Sequence, residues 1–168
     1  IPEKIPLNGV AGRMDFRYDH NSADKAGMFG LDVGKGMFAI HVDYFQRSSN
    51  NTHIPGTALD EAAIRQQFQV DPSTNSTNVI QNSHSNSQGG SAGISLIGKH
   101  GHLGGSYHEM VRNYGIPPGV PGHTEAGRTE QEAIRIDMSQ RRYDLDGLWK
   151  TYWPALPKVK AKLSYIDY

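Results

Sequence analysis

The eight histidines are the clearest chemical lead in this chain. Imidazole nitrogens combine with carboxylate oxygens in many zinc sites, so a histidine close to an acidic residue is a candidate ligand pair. His108 is followed by Glu109, and His123 lies two residues before Glu125. For any single histidine the alternative is a solvated polar residue, and His100-Gly101-His102, despite its ligand-like spacing, falls on a predicted turn. The predicted metal ligands lie in or beside long polar connections: His108, Glu109, His123, Glu125, His53 and His84.

Other kinds of chemistry find less support in the sequence. No set of nucleophile, base and orienting residue can be assembled, and no phosphate-binding loop is present, so we expect no enzymatic activity and no built-in cofactor. The chain has no cysteine, which excludes disulfides and thiolate metal sites. Its 17 basic residues equal its 17 acidic residues, which removes the electrostatic case for a nucleic-acid partner.

Strands must position these residues, because apolar and polar side chains alternate through much of the chain. Between Val10 and Asp19 the period is two, which predicts a strand. A second run ends at Gly34-Lys35-Gly36, a tight reversal that leads into a third run from Phe38 to Tyr44. Alternation returns at Ser91, and four further strands are predicted before the end of the chain. A change of parity within residues 133–149 predicts a bulge near residues 140–143.

The connections between the seven predicted strands are of two kinds that alternate along the chain. Short turns alternate strictly with loops that are mostly long, the first loop being an exception in length only, and this is the asymmetry of an up-and-down bacterial barrel. Thr57-Ala58-Leu59-Asp60 resembles a capping box and predicts a short helix to about Gln69 inside the second loop. The predicted loops and turns are loops 20–24, 48–90 and 112–132, and turns 34–36, 98–101 and 151–157.

The composition provides enough apolar residues for one covered face per strand and little more. Hydrophobic residues make up 36% of the 168 residues, and the mean hydropathy is −0.59. No run of about 18 apolar residues is present, so no transmembrane helix is predicted. A barrel strand needs only about 9–11 alternating residues to cross a membrane, so the composition is compatible with a transmembrane barrel.

The two faces of the predicted strands favour a transmembrane barrel. One face is apolar and carries aromatic residues near the strand ends, as a lipid-facing surface with interfacial girdles does. The other face is charged and suits a wet lumen. The alternative is a soluble sandwich or barrel whose core is the apolar face. The predicted lipid-facing girdle is Tyr18, Tyr44, Tyr107, Tyr165 and Trp149, and the predicted lumen-facing residues are Arg13, Asp15, Arg17, His41 and Asp43.

From Gly9 onward the sequence resembles the TonB-dependent outer-membrane receptors, and within them the zinc-uptake receptors close to haem and siderophore receptors. Arg112-Asn113-Tyr114-Gly115-Ile116-Pro117 looks like the Tyr-Gly-Leu-Pro segment of that family. Gln140-Arg141-Arg142-Tyr143-Asp144-Leu145, with Trp149, looks like its Arg-Tyr-Asp-Leu strand.

The resemblance implies an all-β, up-and-down antiparallel transmembrane barrel of about 22 strands in the bacterial outer membrane. Residues 1–9 would lead in from a plug domain, and residues 10–168 would be the first seven strands of the larger barrel. The implied partners are the TonB complex, acting through the plug, the outer-membrane lipid, and a metal or metal chelate. Zinc is the expected cargo, and haem or a ferric siderophore is the alternative. A soluble binding module or surface antigen is the alternative of another class.

Overall fold

The structure is a computed structural model, and it describes residues 1–69, 75–117 and 134–168. Nine strands and one helix lie in the described ranges, in this order: β1 (Val10–Asp19), β2 (Asp24–Lys35), β3 (Phe38–Ser49), β4 (His53–Thr57), α1 (Glu61–Phe68), β5 (Thr77–Val79), β6 (Ser85–Gly98), β7 (Gly101–Gly115), β8 (Arg135–Lys150) and β9 (Lys158–Asp167).

Seven strands form one antiparallel sheet in the order β1-β2-β3-β6-β7-β8-β9. Strands β4 and β5 pair separately as a small two-stranded sheet. Apart from that pair, each strand lies beside the next one in the chain. The predicted all-β, antiparallel, up-and-down arrangement is therefore confirmed for the described residues.

The interruption predicted at residues 48–90 is shorter and more ordered than expected. Strand β3 continues to Ser49, and β6 begins at Ser85, six residues before the predicted start at Ser91. This polar end is held by the backbone ladder, with Ser49 opposite Ser85, and by side-chain hydrogen bonds such as Ser48 Oγ to Asn86 Oδ1 at 2.6 Å. The serine-rich composition resembled a loop because neither face of this strand end is apolar.

The helix prediction is close, but its N-cap lies later than the capping-box pattern placed it. Helix α1 begins at Glu61, and the N-cap is Asp60, whose carboxylate accepts a hydrogen bond from the Ala63 N–H at 3.1 Å. The helix is eight residues long. No helix in the described ranges has the length and apolar character needed to cross a membrane.

The bulge predicted in β8 is wrong. The pairing of β7 with β8 runs without a shift from Gly101 opposite Trp149 to Gly115 opposite Arg135. The parity of the apolar residues changes because Ile136 and Met138 lie on the same face as Arg142, toward the loop end of the strand. A straight strand carries both apolar sets, one on each face.

The sheet is a single layer, and one of its faces is covered by nothing in the described residues. Among the described residues, the buried hydrophobic ones are Ala39 in β3 and Ile64 in α1 alone. Met14 is 68% exposed, Val42 is 43% exposed and Leu163 is 69% exposed. The large apolar side chains therefore form a continuous outer surface and not a core.

Residues 1–8 lie across the opposite face of the sheet, where glycines make room for them. A Cβ at Gly104 would lie 2.5 Å from Ile1 Cγ2, and a Cβ at Gly34 would lie 2.9 Å from Ile5 Cγ2. The nearest atom of this segment to a Cβ at Gly93 is Pro2 Cδ, at 3.5 Å. The segment before β1 therefore contacts strands β2, β6 and β7.

The turn between β6 and β7 requires a glycine at position 101. Gly101 has a φ of +149°, and a Cβ there would lie 1.8 Å from the carbonyl oxygen of Leu148 on β8. We predict that Gly101→Ala lowers the free energy of unfolding by more than about 1 kcal/mol, because both the backbone and the neighbouring strand must shift. Urea unfolding of the chain in detergent micelles measures the change.

Gly105→Ala is the matched control on the same strand. Its Cβ would have no neighbour closer than 3.6 Å, which is ordinary van der Waals contact. Equal losses of stability in the two variants would contradict the assigned turn geometry.

Candidate functional site

The uncovered side of the sheet, here called the apolar face, is built by cross-strand registers of aliphatic residues. Each strand contributes every second side chain to it. One register passes through all seven strands and contains Gly105 as its one residue without a side chain. Its members are Val10, Val33, Ile40, Ile94, Gly105, Leu145 and Leu163.

The predicted tyrosines lie on the apolar face, at a level that steps along the sheet. Through Lys25 on β2, Tyr18 is in register with Ser48 on β3, and Ser48 lies four residues beyond Tyr44 toward the loop end. Through Gly90 on β6, Tyr44 is in register with Glu109 on β7, and Glu109 lies two residues beyond Tyr107 toward the loop end. Tyr107, Tyr143 and Tyr165 share one register. The aromatic level thus falls by six residues over the six steps from β1 to β9.

The average stagger over the sheet is one residue for each strand step. One residue of rise, about 3.3 Å, for each strand spacing of about 4.8 Å corresponds to a tilt of about 35°. The stagger is uneven, with four residues from β1 to β3, two residues from β3 to β7 and none from β7 to β9, so one tilt does not bring all of the tyrosines to one height.

A second aromatic level lies toward the turn end of the sheet. Phe38 is six residues from Tyr44 on β3, and Trp149 is six residues from Tyr143 on β8. Six residues span about 20 Å along a strand. Tyr152 and Trp153 follow Trp149 in the next turn, and both are exposed. The aliphatic registers therefore lie between two aromatic levels.

The opposite side, here called the polar face, contains hydrogen-bonded acidic and basic groups. His41 lies between two carboxylates: its Nδ1 is 2.7 Å from Asp32 Oδ1, and its Nε2 is 2.8 Å from Asp43 Oδ2. Ser91 Oγ also donates to Asp43. His41 and Asp43, both predicted to face the lumen, thus belong to one network that spans β2, β3 and β6.

A second network lies on β7, β8 and β9. The buried Asp144 accepts hydrogen bonds from Arg142 Nε at 3.0 Å and Nη2 at 2.9 Å, and from Ser164 Oγ at 2.5 Å. His108 Nε2 lies 3.4 Å from Asp144 Oδ2 and 3.0 Å from Ser106 Oγ. The polar face therefore satisfies its own charges through neighbouring strands.

The remaining predicted lumen residues, Arg13, Asp15 and Arg17, alternate along β1 on this polar face. Arg17 reaches the loop end of the sheet, where its Nη2 is 3.6 Å from Asp24 Oδ2. Arg47 donates to the same carboxylate from Nε at 3.0 Å and from Nη2 at 2.6 Å. The hydrogen bonds from Arg47 hold the pKa of the buried Asp24 carboxyl below its usual range, although burial opposes this.

The structure does not bring His108 and Glu109 together as the predicted pair of ligands. Adjacent residues on a strand point to opposite faces, and His108 lies on the polar face while Glu109 lies on the apolar face. Glu109 Oε1 is 3.4 Å from Arg141 Nε, also on the apolar face. The two side chains cannot ligate one ion through the sheet.

The other predicted ligands are dispersed. The Arg135 guanidinium donates to the His84 ring, with Nη1 2.5 Å from Nε2, so a fixed positive charge faces this imidazole. His53 is exposed at the start of β4. His123 and Glu125 lie outside the described residues.

The described residues do bring one other set of metal-type donors together, namely Glu3, His102 and Asp146. The spacing of His100 and His102 was a partial signal for this set. It did not indicate Glu3 or Asp146, because contacts of residues 1–8 with the sheet leave no trace in local periodicity.

No protein-family model matches the sequence. The fold and the two faces define the class as a single-layer, antiparallel, up-and-down sheet with one apolar and one charged surface.

We predict that Asp24→Asn lowers the free energy of unfolding by about 1–2 kcal/mol at neutral pH, because charge-assisted hydrogen bonds to Arg47 become neutral ones. The pKa of Asp24 is depressed in the folded state, so its contribution is present above the ordinary aspartate pKa of about 3.9 and declines as the pH falls below it. Denaturant unfolding at pH 7 and at about pH 3 measures the difference.

The matched control is Asp15→Asn, which removes an exposed carboxylate from the same face. An Asp24→Asn effect that is equal at the two pH values, or equal to that of Asp15→Asn, would contradict the role given to this ion pair.

Proposed function

We propose that this chain forms part of the wall of a TonB-dependent receptor of the bacterial outer membrane, and that the receptor imports zinc. The observation that carries the proposal is the uncovered apolar face between two aromatic levels. The sequence resemblance supplies the receptor class and the cargo.

Physical arguments favour lipid as the covering of the apolar face. Contiguous exposed apolar surface of this extent is unfavourable in water and marks contact with a membrane or a partner. A protein core does not require aromatic residues at two separate heights, whereas the two interfaces of a membrane favour Tyr and Trp there. The charged groups all but avoid the aliphatic registers, and the buried carboxylates Asp24, Asp144 and Asp146 are paired on the other face.

Closure into a barrel follows from the same environment. Strands β1 and β9 each have one edge without a partner among the described residues. Backbone groups at such an edge cost several kcal/mol each in hydrocarbon, so the proposal requires further strands on both sides. A barrel of about 22 strands, as the resemblance implies, would enclose the polar face as its lumen.

In the proposed transport cycle, zinc binds at the loop end, and the TonB complex then displaces a plug domain. His53 and His108 are the described histidines near that end that keep the proposed ligand role, and His123 and Glu125 remain proposed ligands. His84 is the weakest of the candidates, because Arg135 occupies its ring nitrogens and repels a cation.

The nearest alternative is the same receptor class with haem or a ferric siderophore as cargo. We expect the intact receptor in detergent to bind zinc saturably, with binding unchanged by excess haem or ferric siderophore. Competition binding with the three ligands measures this. Displacement of zinc by haem, or binding of haem or the siderophore without zinc, would transfer the assignment to that cargo.

The membrane assignment makes a sharper prediction at Leu163, which lies on the apolar face between the aromatic levels. Leu163→Arg should lower the stability of the intact receptor in lipid vesicles by about 2 kcal/mol or more, because an arginine near mid-depth must leave water. Urea unfolding in vesicles measures the loss.

The matched control is Ile166→Arg, three residues away on the polar face of the same strand. Its effect should stay near 0.5 kcal/mol, about that of an ordinary surface substitution. In a soluble binding module or surface antigen, protein would cover the apolar face, and the protein would fold as a compact monomer in buffer without detergent. A compact, folded monomer under those conditions would overturn the membrane proposal.

A further inference from the structure

Three potential metal ligands from distant parts of the chain converge at the turn end of the polar face. One donor atom each from Glu3, His102 and Asp146 lies within 4.8 Å of the other two. His102 Nε2 is 2.9 Å from Asp146 Oδ1, and these side chains are 6% and 9% exposed. Two of the three donors are therefore nearly removed from solvent.

The fold explains how these residues meet. His102 lies opposite Leu148, and Asp146 lies opposite Gly104, so His102 and Asp146 are diagonal neighbours on β7 and β8. Gly104 has no side chain, and Ile1 occupies the space that one would fill. Because residues 1–8 lie against the sheet in this way, Glu3 is placed near the His102–Asp146 pair.

We propose that Glu3, His102 and Asp146 bind one divalent cation, with zinc as the best-suited ion, and that this ion fastens residues 1–8 to the sheet. One imidazole and two carboxylates form a three-ligand zinc set with an open position for water. In a tetrahedral site with bonds of about 2.0–2.2 Å, ligand atoms are about 3.3–3.6 Å apart. The exposed Glu3 side chain supplies the small movement that closure requires.

The charges around Asp146 leave one of its oxygens for the ion. Lys160 Nζ is 3.9 Å from Asp146 Oδ2, whereas Oδ1 faces His102. Lys160 compensates the buried carboxylate when no ion is bound, and metal binding replaces the hydrogen bond between His102 and Oδ1. This site is at the opposite end of the strands from the proposed cargo ligands, and it does not depend on the proposed transport function.

The test is a zinc titration of the intact receptor in detergent micelles against a chromogenic chelator, with cobalt as a spectroscopic probe of coordination. We expect one ion to bind at this site, with d–d absorption typical of a tetrahedral nitrogen and oxygen set. His102→Ala, Asp146→Asn and Glu3→Gln should each weaken binding by at least about 10–100-fold, the effect of losing even an outer-shell partner. Glu3→Gln leaves the sheet unchanged, so its result does not depend on the folding of the other two variants.

His100→Ala is the matched control, because this histidine belongs to the same turn but contacts Tyr152, with ring centroids 5.2 Å apart. It should bind zinc as the unsubstituted chain does. Binding that none of the three ligand substitutions changes would locate the ion elsewhere and overturn the proposal, as would the absence of binding.

Trypsin cleavage measures whether the ion holds residues 1–8 against the sheet, because trypsin cleaves after lysine and Lys4 directly follows Glu3. Zinc should slow cleavage after Lys4 by at least about tenfold in the unsubstituted chain and not in Glu3→Gln, while cleavage after the exposed Lys35 stays constant. Zinc binding without protection of Lys4 would overturn the fastening role.

Discussion

The fold depends on what covers the apolar face. Burial of apolar surface is the dominant favourable term in folding, and a single-layer sheet in which Ala39 is the one buried hydrophobic residue among those described obtains almost none of it internally. Backbone hydrogen bonds contribute little net free energy in water, because the unfolded chain makes them with solvent. Within the described residues, the large apolar side chains therefore lie on a surface and not in a core, and the stability of the sheet depends on what covers that surface.

The polar face satisfies the opposite requirement. Asp24, Asp144 and Asp146 are buried without a second protein layer, because arginine, histidine and lysine side chains from neighbouring strands cover them. Buried carboxylates are costly unless they are paired and hydrogen-bonded, and each of these has a partner. Such a face tolerates water above it and gains nothing from an apolar cover. The asymmetry between the two faces is thus chemical as well as geometric.

Periodicity predicted the strands well wherever one face is apolar and the other is charged. It failed at residues 85–90, where both faces are polar and the backbone ladder alone extends the strand. It also suggested a bulge in β8, since Ile136 and Met138 are apolar residues on the polar face. In both places the chemistry of the face changes along the strand while the backbone continues unchanged.

The functional residues were harder to predict than the strands, for a physical reason. Proximity in sequence suggested His108 with Glu109, yet strand parity separates consecutive side chains by the thickness of the sheet. The contact of His102 with Asp146 depends on register between strands, and that of Glu3 depends on the seating of residues 1–8 at glycines. Neither register nor seating is encoded in the local pattern of a single strand.

The aromatic level of the apolar face shifts along the sheet. In a sheet that packs on a second protein layer, nothing requires the aromatic position to move by an average of one residue for each strand. In a barrel the strands tilt, so residues at one height must be displaced along successive strands by the shear. The tyrosines of β1, β3 and β7 are displaced in one direction, by four residues and then by two, whereas Tyr107, Tyr143 and Tyr165 share one register. The first three positions therefore fit the barrel wall that we propose, and the last three would differ in height in a wall of uniform tilt.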